Sequence, residues 1–198
     1  MDITETDALD RADMERLKAG QDTALNDLME RHSERLYHFL LRMLNNEEDA
    51  NDLAQETFVR VYTRKSTFNP SNNFKSWLYT IAANLARNHH RWRSRHPQVS
   101  IDTPPDSNED ASSSNLGEKL PSTSLSPSET VLIDEKNAAV RHAVQQLPED
   151  MREAILLCEW DDLSMLQAAT VLNTTSKAIE SRLYRARKLL RDSLAKWL

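Results

Sequence analysis

The chain has 198 residues but only two glycines, Gly20 and Gly117, which excludes a hairpin-rich β fold and glycine-built phosphate loops, and leaves room for one ordinary domain or two small ones. Its net charge of −6 conceals two basic blocks: residues 60–101 hold eight bases and no acid, and residues 177–198 hold seven bases and two acids. Phosphate attraction is local and screened within about 10 Å, so two such blocks in an otherwise acidic chain suit two separate polyanion contacts. No apolar run approaches the ~18 residues of a membrane span and no basic-then-apolar leader opens the chain, so no membrane insertion and a cytoplasmic location are expected.

Residues 1–23 read as an acidic N-terminal extension. Leu25, Leu28, Met29, Leu36, Leu40, Met43 and Leu44 then recur at helical spacing, as one long helix or a pair. Asn45-Asn46 ends this pattern, and Asn46 can cap a helix whose first turn, Glu47-Glu48-Asp49, places acids where the helix dipole favours them. The buried stripe of that helix is Ala50, Leu53, Ala54, Phe58, Val61 and Tyr62; Asp49, Asp52, Gln55, Glu56 and Val59 lie away from it. Asn69 to Asn73 is a turn by composition. Phe74, Trp77, Leu78, Ile81 and Leu85 follow as a third apolar stripe, on a helix running into Arg87, Arg91, Arg93 and Arg95.

Pro97 to Ser128 is rich in Ser, Pro, Asp and Asn and poor in large apolar residues, so burial cannot offset its ordering entropy. It is expected to be a flexible acidic linker between a domain over residues 24–96 and another over 129–198. Ser126-Pro127-Ser128-Glu129 has capping-box spacing and predicts a helix reaching Leu147. Pro148 restarts the chain with Met151, Ala154, Ile155 and Cys158 as the next apolar stripe, in which the single cysteine is a buried free thiol. Ser164-Met165-Leu166-Gln167 is a second capping box. A short helix to Leu172, a turn at Asn173-Thr174-Thr175 and a helix from Ser176 complete helix-turn-helix spacing, with Asn173 where a left-handed residue is needed. The expected fold is all-α, with two small helical domains.

The second helix of such a unit enters the major groove. Here it presents Ser176, Lys177, Glu180, Ser181, Tyr184 and Arg185 to bases, with Arg182, Arg187, Lys188 and Arg191 for phosphate, while Ala178, Ile179, Leu183, Ala186 and Leu190 face inward. The N-terminal basic block instead mixes cations, aromatics and amides, as single-strand binding requires. Asn69, Ser71, Asn72 and Asn73 can hydrogen-bond an unstacked base, and Lys75, Arg87, His90, Arg91 and Arg93 can track the backbone. Trp77 belongs to the core by its place in the stripe, whereas Trp92 and Tyr79 are expected to be exposed aromatic contacts. Paired carboxylates such as Asp161-Asp162 read as solvated surface charge, and no metal-ligand spacing or catalytic motif occurs. Neither an enzyme nor a resident cofactor or metal is therefore expected.

Leu53-Ala54-Gln55-Glu56-Thr57-Phe58, Phe74 to Asn84 and Ile179 to Arg187, in this order and on either side of a linker, resemble the extracytoplasmic-function (ECF) sigma factors. The resemblance implies a second-region domain that binds the clamp of core RNA polymerase and melts the minus-10 element. It also implies a fourth-region domain that reads the minus-35 element and meets the flap, and an anti-sigma factor as regulatory partner. Carried over by position, Asp52, Gln55 and Glu56, flanked by Asp49 and Val59, face the clamp. Asn69 to Asn73 form the pocket for a flipped minus-10 base, and Ser181, Arg182, Tyr184 and Arg185 belong to the minus-35 helix. Gln167-Ala168-Ala169 replaces the family's usual Glu-Ile-Ala and Lys177 its usual glycine, changes that bear on the minus-35 sequence rather than the fold. The alternative is a dimeric helix-turn-helix repressor that acts without polymerase.

Overall fold

The computed structural model describes residues 3–96 and 127–197, with side chains from 5–96 and 135–197. The expected linker, apart from Pro127 and Ser128, lies outside the described residues, as do the side chains of the capping box at Ser126 to Glu129. Among the described residues there are eight α-helices and no strand: α1 (Ile3–Lys18), α2 (Ala24–Leu44), α3 (Glu47–Thr63), α4 (Phe74–Arg95), α5 (Pro127–Gln145), α6 (Glu149–Ile155), α7 (Met165–Val171) and α8 (Ser176–Ser193).

The first four helices pack around α2. Their core joins Leu28, Leu36, Phe39 and Leu40 of α2 to Ala50, Phe58 and Val61 of α3 and to Leu78, Ile81 and Ala82 of α4. Local chemistry sets the helix ends. Asn45 adopts a left-handed backbone at φ 53°, and the Asn46 side chain accepts from the Asp49 N–H at 2.9 Å to start α3, satisfying one of the donors a helix start leaves unpaired. Asn73 does the same for α4, its carbonyl oxygen accepting from the Ser76 N–H at 2.9 Å.

The acidic extension is an integral helix of this bundle. Met14 and Leu17 of α1 are fully buried, and Asp10, also fully buried, meets His32 at 2.8 Å and Arg31 at 2.9 Å. A buried carboxylate is tolerable only when so partnered, so what composition suggests as free acid is an α1–α2 staple. Tyr62 departs from the expected buried stripe. It is 38% exposed, its ring beneath the Lys65 ammonium at 4.2 Å, and Thr57 fills the inner position. One turn beyond Phe58 the stripe drifts to the rim of α3, where an amphipathic ring can keep its hydroxyl wet.

In the C-terminal half, α6 and α7 pack on α8. Ser164 and Gln167 form both bonds of the expected capping box, Asn173 is left-handed at φ 49°, and Thr175 caps α8 through the Ala178 N–H at 3.2 Å. Between α6 and α7, residues Leu156–Trp160 widen into a π turn, closed when the Asp161 N–H donates to the Leu156 carbonyl at 3.1 Å. Asp162, at φ 52°, then reverses the chain. Cys158 on this turn is half-buried rather than fully enclosed, and burial raises its thiol pKa.

The two halves touch. Helix α4 lies against α7, and the end of α2 against α5 and the π turn. The Gln145 amide donates to the Arg42 carbonyl at 2.6 Å and Arg152 to the Met43 carbonyl at 3.2 Å, partnering carbonyls that the end of α2 cannot satisfy itself.

Candidate nucleic-acid and polymerase interfaces

On α8 the helical period divides the residues as expected. Ile179, Leu183 and Ala186 are buried, whereas Lys177, Glu180, Ser181, Tyr184, Arg185 and Lys188 are exposed, Tyr184 by 72%. Lys177, Glu180, Tyr184 and Lys188 make no hydrogen bond or ion pair among the described residues. Ser176 is half-buried in the first turn. Two of the cations expected on phosphate are engaged within the protein. Arg182 pairs with Asp150 at 3.3 Å, and Arg187 with Glu159.

On α3, Asp52, Gln55 and Val59 form an exposed strip, with Glu56 held by Arg60 at 2.7 Å one turn on. Asp49 differs: it bridges to α4, 2.6 Å from Arg93 and 3.3 Å from His89. A residue expected to face polymerase and one expected to face DNA are therefore ion-paired with each other.

The loop before α4 is exposed at Asn69, Ser71 and Asn72, and the Asn69 side chain accepts from the Ser71 N–H at 3.0 Å. Asn73 is the most constrained of the four. Its oxygen caps α4 while its amide donates to Asp7 of α1 at 2.7 Å. Farther along α4, Arg91 bonds to Asn88 at 2.7 Å, His90 is exposed, and Trp92 is 52% exposed and stacked on His96 at 5.2 Å between ring centroids. Trp77 packs on Phe68 at 5.2 Å, as a core residue should.

Tyr79 corrects the expectation of an exposed aromatic. It is 1% exposed, edge-on to Phe39 at 5.1 Å, and its hydroxyl donates to Asp161 at 2.5 Å. Burial and the neighbouring carboxylate push its pKa well up. Lys75 donates to the Asp161 carbonyl and is half-buried, with its pKa lowered by desolvation. Arg87 lies 3.5 Å from Glu153. Asp161, expected as solvated charge, is thus 3% exposed, and burial raises its pKa to about 6; Glu153, equally buried, is raised to about 7 for the same reason. An acidic dipeptide carries no local sign of burial, so only helical phase could have singled out Glu153, which lies beside the apolar Ala154 and Ile155.

A family model described as Sigma-70 region 2 matches residues 28–96, and one described as Sigma-70, region 4 matches residues 137–190. The chain is 32% identical to the RNA polymerase sigma-H factor of Pseudomonas aeruginosa, over 96% of this chain and 95% of that one. It is 28% identical to the ECF RNA polymerase sigma factor SigW of Bacillus subtilis, over 91% and 94% respectively. Among solved structures, the sigma factor RpoE of Bartonella quintana, crystallised with the anti-sigma factor NepR, superposes with a TM-score of 0.65 at 25% identity. That match covers 86% of this chain and 96% of the other. Two helical domains with a helix-turn-helix in the second, matched along nearly their whole length by sigma factors, place this chain in the family of ECF RNA polymerase sigma factors.

Proposed function

We propose that this alternative sigma factor divides promoter recognition between its two basic faces. Region 4 reads the minus-35 duplex through α8, with Ser181, Tyr184 and Arg185 at base edges and Lys177 and Lys188 on phosphate. Region 2 holds melted minus-10 DNA with Asn69, Ser71 and Asn72 at a flipped base, and His90, Arg91 and Trp92 along the strand. The exposed strip Asp52, Gln55 and Val59 of α3, with Glu56 beside it, docks on the polymerase clamp. Region 4 also meets the flap. The observation that carries this reading is the division of α8. Its Ile179, Leu183 and Ala186 are buried, while Lys177, Glu180, Tyr184 and Lys188 on its polar face have no partner among the described residues, as a groove-reading helix requires.

In this reading the protein acts in the cytoplasm, by recruiting core polymerase to promoters. Among the described residues no helix is long and apolar enough to cross a membrane. An anti-sigma factor is the expected antagonist, as NepR is the partner in the related Bartonella complex. Transcription reconstituted with core polymerase, on promoters randomised at both elements, is the test. Arg185→Ala should change preference only at minus-35 and Asn72→Ala only at minus-10. Tight, polymerase-independent binding to a palindrome would instead support a dimeric repressor.

A further inference from the structure

The loop assigned to the flipped minus-10 base, Asn69 to Asn73, is held at both ends by α1, a helix that precedes the residues matched by the region 2 model. Where the loop ends, the Asp7 carboxylate accepts from the Asn73 amide at 2.7 Å. The Asn73 oxygen accepts from the Ser76 N–H at 2.9 Å and from the Ser76 hydroxyl at 3.2 Å. Both polar atoms of the Asn73 side chain are thus engaged, and this residue frames the loop rather than reading a base. Where the loop begins, the Lys18 ammonium donates to the Phe68 carbonyl and lies 5.6 Å from the centre of the Phe68 ring. Phe68 itself is buried, 6.1 Å from Phe74 and 5.2 Å from Trp77 between ring centroids.

Asp7 and Lys18 stand about three helical turns apart, so one face of α1 carries both, roughly 16 Å from each other along the axis. That face cannot slide. Between the two contacts, Asp10 is buried against Arg31 and His32, Asp13 pairs with Arg31, and Met14 and Leu17 are fully buried. A short loop tied at both ends to a helix pinned in this way keeps one shape. Inside it, the Asn69 side chain accepts from the Ser71 N–H at 3.0 Å, and the Asn72 N–H donates to the Asn69 carbonyl at 2.9 Å. The Asn72 side chain is exposed and has no partner among the described residues. A recognition group discriminates only when its supports hold it within about 0.5 Å of the productive position.

We propose that Asp7 and Lys18 of α1 are positioning residues for minus-10 base choice, fixing the two ends of this loop and so holding Asn72 against the flipped base. Contact with DNA stays with the loop; α1 acts through Asn73 and Phe68. The role of α1 rests on the assignment of the loop to minus-10 DNA.

The test is transcription by the full-length protein with core polymerase on promoters randomised at both elements, with the melting temperature of each variant measured alongside. Asp7→Ala should lower preference at a single minus-10 base by about fivefold, the lower end of what one good base contact supplies, with minus-35 preference unchanged. Asp7→Asn keeps an oxygen for the Asn73 amide and should restore the preference. Lys18→Met keeps the stem, loses the donor and should weaken choice at the same base. A merely structural role would lower output evenly on all promoters and leave their ratios alone, and that result would overturn the proposal. Equal loss in Asp7→Ala and Asp7→Asn would overturn the hydrogen-bonded brace, because both variants remove the charge near Lys75. An effect of Lys18→Met at another base, or at none, would overturn the second tie. If Asn72→Ala leaves minus-10 choice unchanged, the loop does not read the base and both assignments fall; if it changes that choice and Asp7→Ala does not, the brace alone falls.

Discussion

The candidate nucleic-acid faces of regions 2 and 4 stand in opposite conditions. On α8 the candidate reading residues stand out from a buried apolar face, and Lys177, Glu180, Tyr184 and Lys188 have no partner among the described residues. On α4 and at its cap most candidates are already engaged: Asn73 by Asp7, Lys75 and Tyr79 by Asp161, Arg87 by Glu153 and Arg93 by Asp49. A face that recognises duplex can be left open, because duplex is always available. A face that recognises a melted strand has no ligand until melting begins, and its cations find carboxylates meanwhile. In the proposed reading the minus-35 face is open in the free chain, whereas most minus-10 candidates of α4 hold partners within the protein.

The largest expected effect would isolate polymerase binding from both faces. Reversing charge at Asp52 and Glu56 together should abolish association with core polymerase in a pull-down. Stability should change by no more than about 0.5 kcal/mol, since such exposed charges contribute little to folding. Retained association would move the clamp contact elsewhere.

Next in size is the minus-35 face. Arg185→Ala should cost about 1–3 kcal/mol on a matched promoter and relax preference at one base pair, if its guanidinium reaches a base edge. Leu183→Ala, by contrast, opens a cavity in the region 4 core and should cost about 2–5 kcal/mol of stability. Thermal unfolding distinguishes the two.

On α4, the two neighbouring arginines should separate. Arg91→Ala removes a cation whose side-chain partners are an amide and a carbonyl, so the salt slope of DNA binding should fall by about one unit. Arg93→Ala also strips Asp49 of its 2.6 Å partner and leaves a carboxylate beside the proposed DNA face. It should therefore weaken binding more than Arg91→Ala does, at the same salt.

The smallest effect is a pH trend in domain packing. Asp161 titrates near 6 in the packed state against about 3.8 when exposed, so packing takes up a proton. Packing should be fully favoured below the lower value, weaken as pH rises through this window, and show no further Asp161 dependence above about 6. The groups facing Asp161 are Tyr79 and Lys75 of α4, Arg35 and Arg42 of α2, with Asp162 beside it and Asp7 of α1 near Lys75. Glu153, raised from 4.5 to about 7, extends the trend upward through its contact with Arg87. Interdomain distance measured across about pH 5 to pH 8 reads it directly, and a distance that shortens with rising pH would reverse the assignment.

Amino-acid order alone determined the helices from α2 onward, most of their ends and the inner faces. Apolar period, capping asparagines and threonines, and the box at Ser164-Gln167 act over one or two turns, and the left-handed Asn45 and Asn173 belong to the same local chemistry. It also marked the open face of α8, because a single helix in phase separates Ile179, Leu183 and Ala186 from Lys177, Ser181 and Arg185. The tertiary structure alone decided whether a charged or aromatic side chain meets water or another helix. Tyr79 and Tyr62 exchanged their expected environments, the acids of α1 became partners for Arg31 and His32, and Asp161 passed from surface charge to the centre of a domain contact. Each of these depends on a helix distant in sequence, and long-range pairing leaves no period in the chain. Burial of a carboxylate depends on whether a cation or hydroxyl arrives opposite it, and for Asp161 that partner is 82 residues away.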